Sequence, residues 1–291
     1  MRNKSLLPQL PLIAPVHILI LSVIVVPSLY VIWLSVMESS FGQQAEFVGF
    51  ENYARVLGDP AFRRALLNTV IIVVVAVHVE LVLGLLVALL FASGLPFRRV
   101  LLVAVLAPYA ISEVIAVVMW RFLFDPYAGP VTLFLQSIGL PILDWSFEPS
   151  HAMVLVALLT IWLHLPFTFI ILYAARLAIP SDLHEAARID GASPFQIFRR
   201  VTLPLLAPAI VIALLFRYIF AFRIFSEVWL MTGGGPARTT EVVAVYLYQE
   251  AFSYNAFGTA AATAWIMVFA SLILGFAYVF FLRKQVTSDE A

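Results

Sequence analysis

The sequence contains no cysteine among its 291 residues, which excludes disulfides and thiolate-based metal or redox chemistry. Charged residues are also scarce. They make up 12% of the chain, against about 25% in a typical soluble domain, whereas 63% of residues are hydrophobic. The mean hydropathy is +1.02. These values exclude an ordinary soluble domain and indicate an all-α protein that crosses a membrane several times.

Motifs for nucleotide hydrolysis and catalysis are lacking as well. A Gly-rich run occurs at residues 232–236, but the Lys-Ser/Thr pair and the preceding strand that a P-loop needs are missing. The sequence contains no His-Glu-x-x-His motif, and no paired aspartates that would suit an intramembrane enzyme. We therefore expect a chain that hydrolyses no nucleotide, binds no metal and has no catalytic residues.

Long apolar stretches are the main feature that is present. A bilayer core of about 30 Å needs roughly 20 apolar residues per helix. Stretches of this kind lie at residues 10–36, 69–92, 100–124, 152–179, 205–225 and 258–282. The first is too long for a signal peptide and lacks a cleavage site, so we expect a retained signal anchor. The sequence predicts one transmembrane domain of six helices over residues 1–291.

Positive charges predict the orientation of these spans, because basic residues concentrate in cytoplasmic loops. With the N-terminus inside, the inner segments contain Arg2, Lys4, Arg98, Arg99, Arg176, Arg188, Arg199, Arg200, Arg283 and Lys284. The outer loops contain only Arg55, Arg63, Arg64 and Arg238. Both termini are therefore predicted to be cytoplasmic.

One polar segment, residues 180–204, separates the fourth and fifth predicted spans and would face the cytoplasm. Pro180 is predicted to end one helix. Helices often end at a residue in the left-handed conformation, which Gly191 adopts easily, so a second helix is predicted to end there. Residues 193–196 (Ser-Pro-Phe-Gln) have the pattern of a capping box with proline at the first helical position. We call residues 180–204 the elbow and predict two short helices around Gly191.

Several charged residues fall within or beside the predicted spans, where each is costly unless it is paired or hydrated. Glu80 and His164 are interpreted as packing residues. The candidates for a hydrophilic translocation path are Glu113, Arg217, Arg223, Glu227 and Trp229. Structural ion pairs, or an interfacial position for Trp229, are the alternatives. Arg223 and Glu227 are four residues apart, so they could pair on one helix face.

The elbow resembles the EAA loop of binding-protein-dependent ABC importer permeases. The resemblance rests on Glu185-Ala186-Ala187, Gly191, Val201 and Leu203-Pro204 at the family's spacing, with Val201 where the family has isoleucine. Residues 47–53, 80–84, 120–124 and 230–236 are similar to the carbohydrate branch of that family, related to the larger maltose-transporter permease. The likeness covers nearly the whole chain.

The resemblance implies a type I ABC importer permease fold in the bacterial cytoplasmic (inner) membrane, with this chain forming half of the pathway for a carbohydrate or polyol. Implied partners are a second permease subunit, two ATP-binding subunits that hold ATP and Mg, and an extracytoplasmic solute-binding protein. No cofactor on this chain and no nucleic acid are expected.

The same resemblance implies a set of residues that couple this chain to the ATPase. The set is Glu185, Ala186, Ala187, Arg188, Asp190, Gly191, Leu203 and Pro204. Two other functions stay open: a permease of the same superfamily that carries a non-sugar solute such as glycerol phosphate, and an ion-coupled secondary transporter. The sequence shows no internal repeat that would favour the second of these.

Overall fold

A computed structural model describes residues 10–288, with side chains from Ala14 to Ala277 and at Phe280. Four of the basic residues on which the predicted orientation depends fall outside this description. Arg2 and Lys4 lie outside the described residues, and the side chains of Arg283 and Lys284 are outside the described side chains.

Helices account for most of the described chain. In order they are α1 (Leu10–Ile20), α2 (Val26–Ser35), α3 (Glu51–Gly58), α4 (Pro60–Ala92), α5 (Arg98–Leu106), α6 (Glu113–Leu123), α7 (Pro130–Ser137), α8 (Pro149–Ala178), α9 (Ser181–Ile189), α10 (Pro194–Ile197), α11 (Leu203–Ala221), α12 (Ser226–Thr232), α13 (Val243–Tyr248) and α14 (Phe257–Ser288). Short π-helical segments lie at Leu21–Val25, Phe198–Thr202 and Gln249–Ser253, and a 3-10 turn at Ala107–Ala110. Two short strands, β1 (Met37–Glu38) and β2 (Glu46–Phe47), pair antiparallel.

The helices have the length and composition of a multi-span membrane protein. Within residues 10–288, five helices are long and apolar enough to cross a membrane, or six if one sharply bent pair is a single span. In such a helix nearly all backbone N–H and C=O groups form hydrogen bonds within the helix, as the interior of a bilayer requires. The predicted all-α membrane class is confirmed. The single domain predicted over residues 1–291 stays a prediction.

The third predicted span, residues 100–124, is not one continuous helix. Between α5 and α6 the 3-10 turn leads into Ile111 and Ser112, both extended with ψ 138°. The two halves of this segment are bent by 103°. Pro108 removes one backbone donor within the turn, which helps to end α5. Glu113 therefore lies in the first turn of α6, whereas the sequence predicted a position inside a continuous third span.

The chain divides into two units, and the larger contains Arg63–Tyr246 together with the residues from Met267 onward. In this unit α4 packs against both α8 and α11. Phe91 of α4 contacts Phe169 of α8, with ring centroids 5.2 Å apart. Val73 and Val77 of α4 lie in one buried cluster with Leu214 of α11. Helix α4 therefore holds α8 and α11 in a common core.

The segment between α12 and α13 is fixed near the start of α4 by buried and partly buried hydrogen bonds. Nδ2 of Asn68 donates to the carbonyl oxygens of Thr239 at 2.8 Å and Glu241 at 2.9 Å. The backbone N–H of Val243 donates to Oγ1 of Thr69 at 2.9 Å. These bonds satisfy backbone groups that an irregular segment would otherwise leave unpaired.

The smaller unit contains the chain up to Phe62 together with Leu247–Ile266. Asn52 of α3 organises it, because its buried Nδ2 donates to the carbonyl oxygens of Ser35 at 3.0 Å and Met37 at 2.8 Å. The start of α14 reaches the same segment, where the N–H of Phe257 donates to the carbonyl oxygen of Ser39 at 3.0 Å. Gly258 consequently lies directly against Met37.

Gly258→Ala tests this close approach. A Cβ at this position would overlap the carbonyl oxygen of Met37 and lie 2.8 Å from Nδ2 of Asn52. We expect the substitution to destabilise the protein by about 1–3 kcal/mol, as overpacking does, and to lower the thermal unfolding temperature of the purified protein in detergent. Gly58→Ala is the matched control, because no atom lies within 4 Å of its Cβ position. Equal unfolding temperatures for the two variants would contradict the packing described.

Candidate functional site

A cavity of about 490 Å³ opens between the α5–α6 junction, α8 and the end of α11. Its walls carry carboxylates, guanidinium groups, an imidazole, hydroxyls and aromatic rings. The lining residues are Tyr109, Glu113, Thr160, His164, Phe167, Arg217, Phe220, Ala221, Arg223, Ile224, Phe225, Ser226 and Glu227. We call it the polar cavity.

Helical spacing explains how α8 supplies one wall. Thr160, His164 and Phe167 lie at positions i, i+4 and i+7, which fall on one face of a helix. Arg217 and Ala221 of α11 have the same four-residue spacing and form the facing wall. Two otherwise apolar helices thus present a narrow polar strip to the same space.

Arg217 is neutralised by Glu80 of α4. Its Nε donates to Oε2 of Glu80 at 2.6 Å, and its Nη2 donates to Oε1 at 2.9 Å. The side chains are 4% and 0% exposed, respectively. This bidentate geometry satisfies both carboxylate oxygens, and either charge alone would be strongly destabilising at this burial. The packing interpretation of Glu80 agrees with this geometry, and Arg217 brings a compensated charge to the polar cavity.

Glu227 reaches the cavity from the first turn of α12. Its Oε1 lies 3.3 Å from Nε2 of His164, and the Glu227 side chain is 4% exposed. His164, interpreted from sequence as a packing residue, is therefore both a wall of the cavity and the partner of Glu227. One turn earlier on α8, the buried Oγ1 of Thr160 has no hydrogen-bond partner among the described residues.

Glu113 and Arg223 are the exposed charges of the cavity wall. Glu113 begins α6, where the helix dipole stabilises a negative charge. Arg223 follows the end of α11 and forms no salt bridge within residues 10–288. The predicted pairing of Arg223 with Glu227 is wrong. The chain leaves the helix between them, so the four-residue spacing does not bring them together, and Glu227 contacts His164 instead.

Trp229 lies outside the polar cavity. It lines a second cavity, of about 460 Å³, together with Arg121 and Trp145. The Trp229 ring stacks on Phe225 with centroids 6.1 Å apart and an interplanar angle of 14°. The guanidinium of Arg121 lies 5.5 Å from the centroid of the Trp145 ring. These contacts give the tryptophans packing roles beside the Gly-rich segment.

The structure thus collects most of the predicted path residues in one cavity and adds others. Those collected are Glu113, Arg217, Arg223 and Glu227. Sequence reasoning missed Tyr109, Thr160, Phe167, Phe220 and Ser226. The spacing of Thr160 and His164 was an available signal, because it marks a polar strip on an apolar helix. Tyr109 could not be found this way, since the bend between α5 and α6 brings it to the cavity.

This wall has the chemistry of a binding site for a hydroxyl-rich solute. Carboxylates accept hydrogen bonds and a guanidinium donates them, and each solute hydroxyl can do both. Aromatic rings such as Phe167 and Phe220, whose centroids lie 6.1 Å apart, supply apolar surface. Among the residues that the structure describes, no group of three or more His, Asp or Glu could hold a metal ion.

The elbow forms two helices joined at Gly191. Gly191 has φ +77°, the left-handed conformation expected where α9 ends. The N–H of Ser193 donates to Oε1 of Gln196 at 2.7 Å, and the N–H of Gln196 donates to Oγ of Ser193 at 3.3 Å. The predicted capping box is confirmed. From α10 the chain continues through a π-helical segment into α11, which begins at Leu203 with Pro204 next.

The first helix of the elbow, α9, has no buried residue in this chain. Glu185, Ala186 and Arg188 are exposed, and the apolar side chain of Ile189 is 86% exposed. An exposed helix with this mixture of charge and apolar surface is a suitable surface for a partner. The coupling roles expected for the elbow residues stay predictions.

Comparison with known proteins agrees with the architecture. The family model for the binding-protein-dependent transport system inner membrane component matches residues 80–286. The sulfoquinovosyl glycerol transport system permease protein of Agrobacterium fabrum is 35% identical over 278 residues, which cover 94% of this chain and 90% of that protein. The trehalose/maltose transport system permease protein of Thermococcus litoralis is 33% identical over 270 residues, covering 92% and 90%.

Solved structures share the fold. A chain of a bacterial ABC transporter involved in the import of the acidic polysaccharide alginate has a TM-score of 0.83 at 22% identity, covering 98% of this chain and 96% of that chain. A chain of an inward-facing methionine ABC transporter has a TM-score of 0.53 at 23% identity, covering 75% and 94%. The type I ABC importer permease fold implied by the resemblance is confirmed.

The family model covers most of the chain, and relatives more than 30% identical cover nearly all of it. This chain belongs to the binding-protein-dependent transport system inner membrane components, the non-catalytic, multi-pass permease subunits of ABC importers.

Proposed function

We propose that this chain forms half of the pathway by which an ATP-driven importer moves a neutral carbohydrate or polyol across the bacterial inner membrane. A soluble binding protein would deliver the solute, and a second permease subunit would complete the pathway. The observation that carries the proposal is the polar cavity, whose hydrogen-bonding groups and aromatic rings suit a hydroxyl-rich solute. Relatives named for trehalose, maltose and sulfoquinovosyl glycerol support the same cargo class.

The charge of the polar cavity favours a neutral solute over glycerol phosphate. Glu80 compensates Arg217, and among the described residues Arg223 is the arginine of the wall that forms no salt bridge. Two carboxylates, Glu113 and Glu227, face the same space, with His164 beside Glu227. A phosphate dianion would lose its hydration there without gaining matching positive charge, which is costly. A sugar hydroxyl loses much less and can hydrogen-bond to the same carboxylates.

Energy for transport would enter through the elbow. We infer that α9 docks on an ATP-binding subunit, which holds ATP and Mg, with the elbow and both termini on the cytoplasmic side. The support is the exposure of α9 and the spacing that resembles the EAA loop. The small side chains of Ala186 and Ala187 permit close approach, and Glu185 and Arg188 supply charged contacts. Leu203 and Pro204 connect the docked segment to α11.

Glu185→Lys tests the docking surface. Reversing a charge in a buried contact costs about 2–5 kcal/mol, so we expect ATP-dependent uptake to fall about tenfold or more. Uptake would be measured in vesicles with the complete transporter, along with the amount of ATP-binding subunit that co-purifies. Asp182→Lys is the matched control, because it makes the same charge change one turn earlier on α9.

Both variants should reach the membrane in normal amounts, since α9 is exposed in this chain. Full coupling in Glu185→Lys would contradict docking through α9. So would uptake that ignores ATP, or a chain that never co-purifies with an ATP-binding subunit.

Glu113→Gln tests the polar cavity and its preference for neutral solutes. A hydrogen bond to a charged group contributes about 1.5–3 kcal/mol, so we expect uptake of the preferred neutral sugar to fall about tenfold. Glu148→Gln is the control, because Glu148 is also exposed and directly precedes a helix but does not line the cavity. Maltose, trehalose and glycerol 3-phosphate would be compared as labelled solutes. Faster uptake of glycerol 3-phosphate than of either sugar by the unaltered transporter would overturn the assignment of a neutral cargo.

A further inference from the structure

A separate cavity lies where the last turns of α4 and α8 meet the elbow. Its volume is about 430 Å³, within the range of about 300–1,000 Å³ that is typical of small-molecule sites. Arg176 near the end of α8, and His184 and Arg188 on α9, contribute its basic groups. We call it the basic pocket.

The basic pocket has an unbalanced positive charge. No aspartate or glutamate is among its lining residues. Within residues 10–288 neither Arg176 nor Arg188 forms a salt bridge. Two arginines that converge without a carboxylate are a suitable site for an anion with several acceptor oxygens.

His184 adds a hydrogen-bonding imidazole to the arginines of the basic pocket. Its Nε2 lies 3.0 Å from Oγ1 of Thr202, which fixes the ring beside the pocket. Its Nδ1 is buried, and no hydrogen-bond partner reaches it among the described residues. If the hydroxyl of Thr202 donates to Nε2, then Nδ1 carries the proton and can donate to an anion in the pocket.

Apart from Ser93 and Thr202 the remaining wall is apolar, which favours an amphiphilic anion over a free one. Leu89 and Ala92 of α4 and Ile197 and Phe198 of the elbow line the same space as the arginines. Arg176 lies in the last turn of α8, a helix long and apolar enough to cross a membrane. The end of such a helix is expected at the depth of the lipid headgroups. Basic pockets between helix ends at this depth bind lipid phosphates.

We propose that the basic pocket binds the phosphate of an anionic phospholipid, with Arg176, His184 and Arg188 around the headgroup and an acyl chain along the apolar wall. A bound lipid would connect α9 to the ends of α4 and α8, and so would stiffen the elbow relative to the spans. This assignment does not depend on which solute is carried, because lipid binding is measured without transport. Arg188 also belongs to the surface of α9 that we propose to dock on the ATP-binding subunit, so the test changes Arg176, which lies on α8.

The test is a binding titration on the purified transporter that contains the full chain, by native mass spectrometry. Short-chain phosphatidylglycerol is the probe, with short-chain phosphatidylcholine and inorganic phosphate as comparisons. We expect phosphatidylglycerol to bind more tightly than either. Arg176→Gln should raise its dissociation constant about tenfold or more, because a charge-assisted hydrogen bond is lost. Arg176→Lys should restore most of the affinity.

Arg199→Gln is the matched control, because it removes the same charge from an exposed residue of the elbow that does not line the pocket. Its affinity should stay within about twofold of the unaltered protein, since an exposed surface charge contributes little. Equal losses in Arg176→Gln and Arg199→Gln would indicate a diffuse charge effect and overturn the proposal.

Two further outcomes would also overturn it. If Arg176→Gln lowers the unfolding temperature but leaves lipid affinity unchanged, then Arg176 only complements the C-terminal dipole of α8. If inorganic phosphate binds as tightly as phosphatidylglycerol, the ligand is a soluble phosphate and the lipid assignment is wrong.

Discussion

The buried ion pair between Glu80 and Arg217 is the constraint on which the core of this permease depends. At its burial neither charge is tolerable alone, so α4 and α11 must keep the register that joins them. The same stretch of α4 is held against α8 at Gly84, where a Cβ would lie 3.0 Å from Cγ2 of Thr168. Near its start α4 is also bonded through Asn68 to the segment between α12 and α13. One helix thereby fixes α8 and α11, which form two walls of the polar cavity.

The ion pair also sets the charge that Arg217 presents to the polar cavity. Without Glu80, Arg217 would present a free guanidinium to the solute and the cavity would suit an anion. With Glu80 in place, carboxylates and hydroxyls dominate the wall. Relatives about one third identical to this chain are named for different solutes, so membership of the family does not by itself determine the cargo. Pairing one arginine with a carboxylate is a small change in sequence. It would have a large effect on which solute charge the cavity accepts.

Helix α11 provides a direct physical connection between the elbow and the cavity. The stretch Pro194–Ala221 is helical throughout, with the elbow at one end and Arg217 and Ala221 of the cavity wall at the other. From Thr202 to Arg217 the rise is about 22 Å at 1.5 Å per residue. The hydrogen bond between His184 and Thr202 connects α9 to this stretch, directly before α11 begins. A displacement of a docked α9 would therefore reach the cavity wall through a single helix, without a flexible link.

The sequence predicted those features that depend on local pattern. Apolar length located the helices, and the Ser193 and Gln196 pattern predicted the cap that restarts the elbow. It could not predict features that depend on distant partners. Glu80 and Arg217 are separated by 137 residues, and Glu227 contacts His164, 63 residues away, rather than its neighbour Arg223. The position of these charged residues within predicted spans indicated that each needed a partner. A single sequence does not show which residue the partner is.

The break between α5 and α6 is a feature that the sequence did not predict, and it determines part of the site. An apolar window from 100 to 124 is continuous in composition, so hydropathy alone predicts one span with Glu113 buried within it. The bend instead makes Glu113 the first residue of α6, where it is exposed and stabilised by the helix dipole. The same bend brings Tyr109 to the cavity wall. A charge that would be costly inside a straight span is thus accessible, because irregular backbone at membrane depth is tolerated where it lines a cavity.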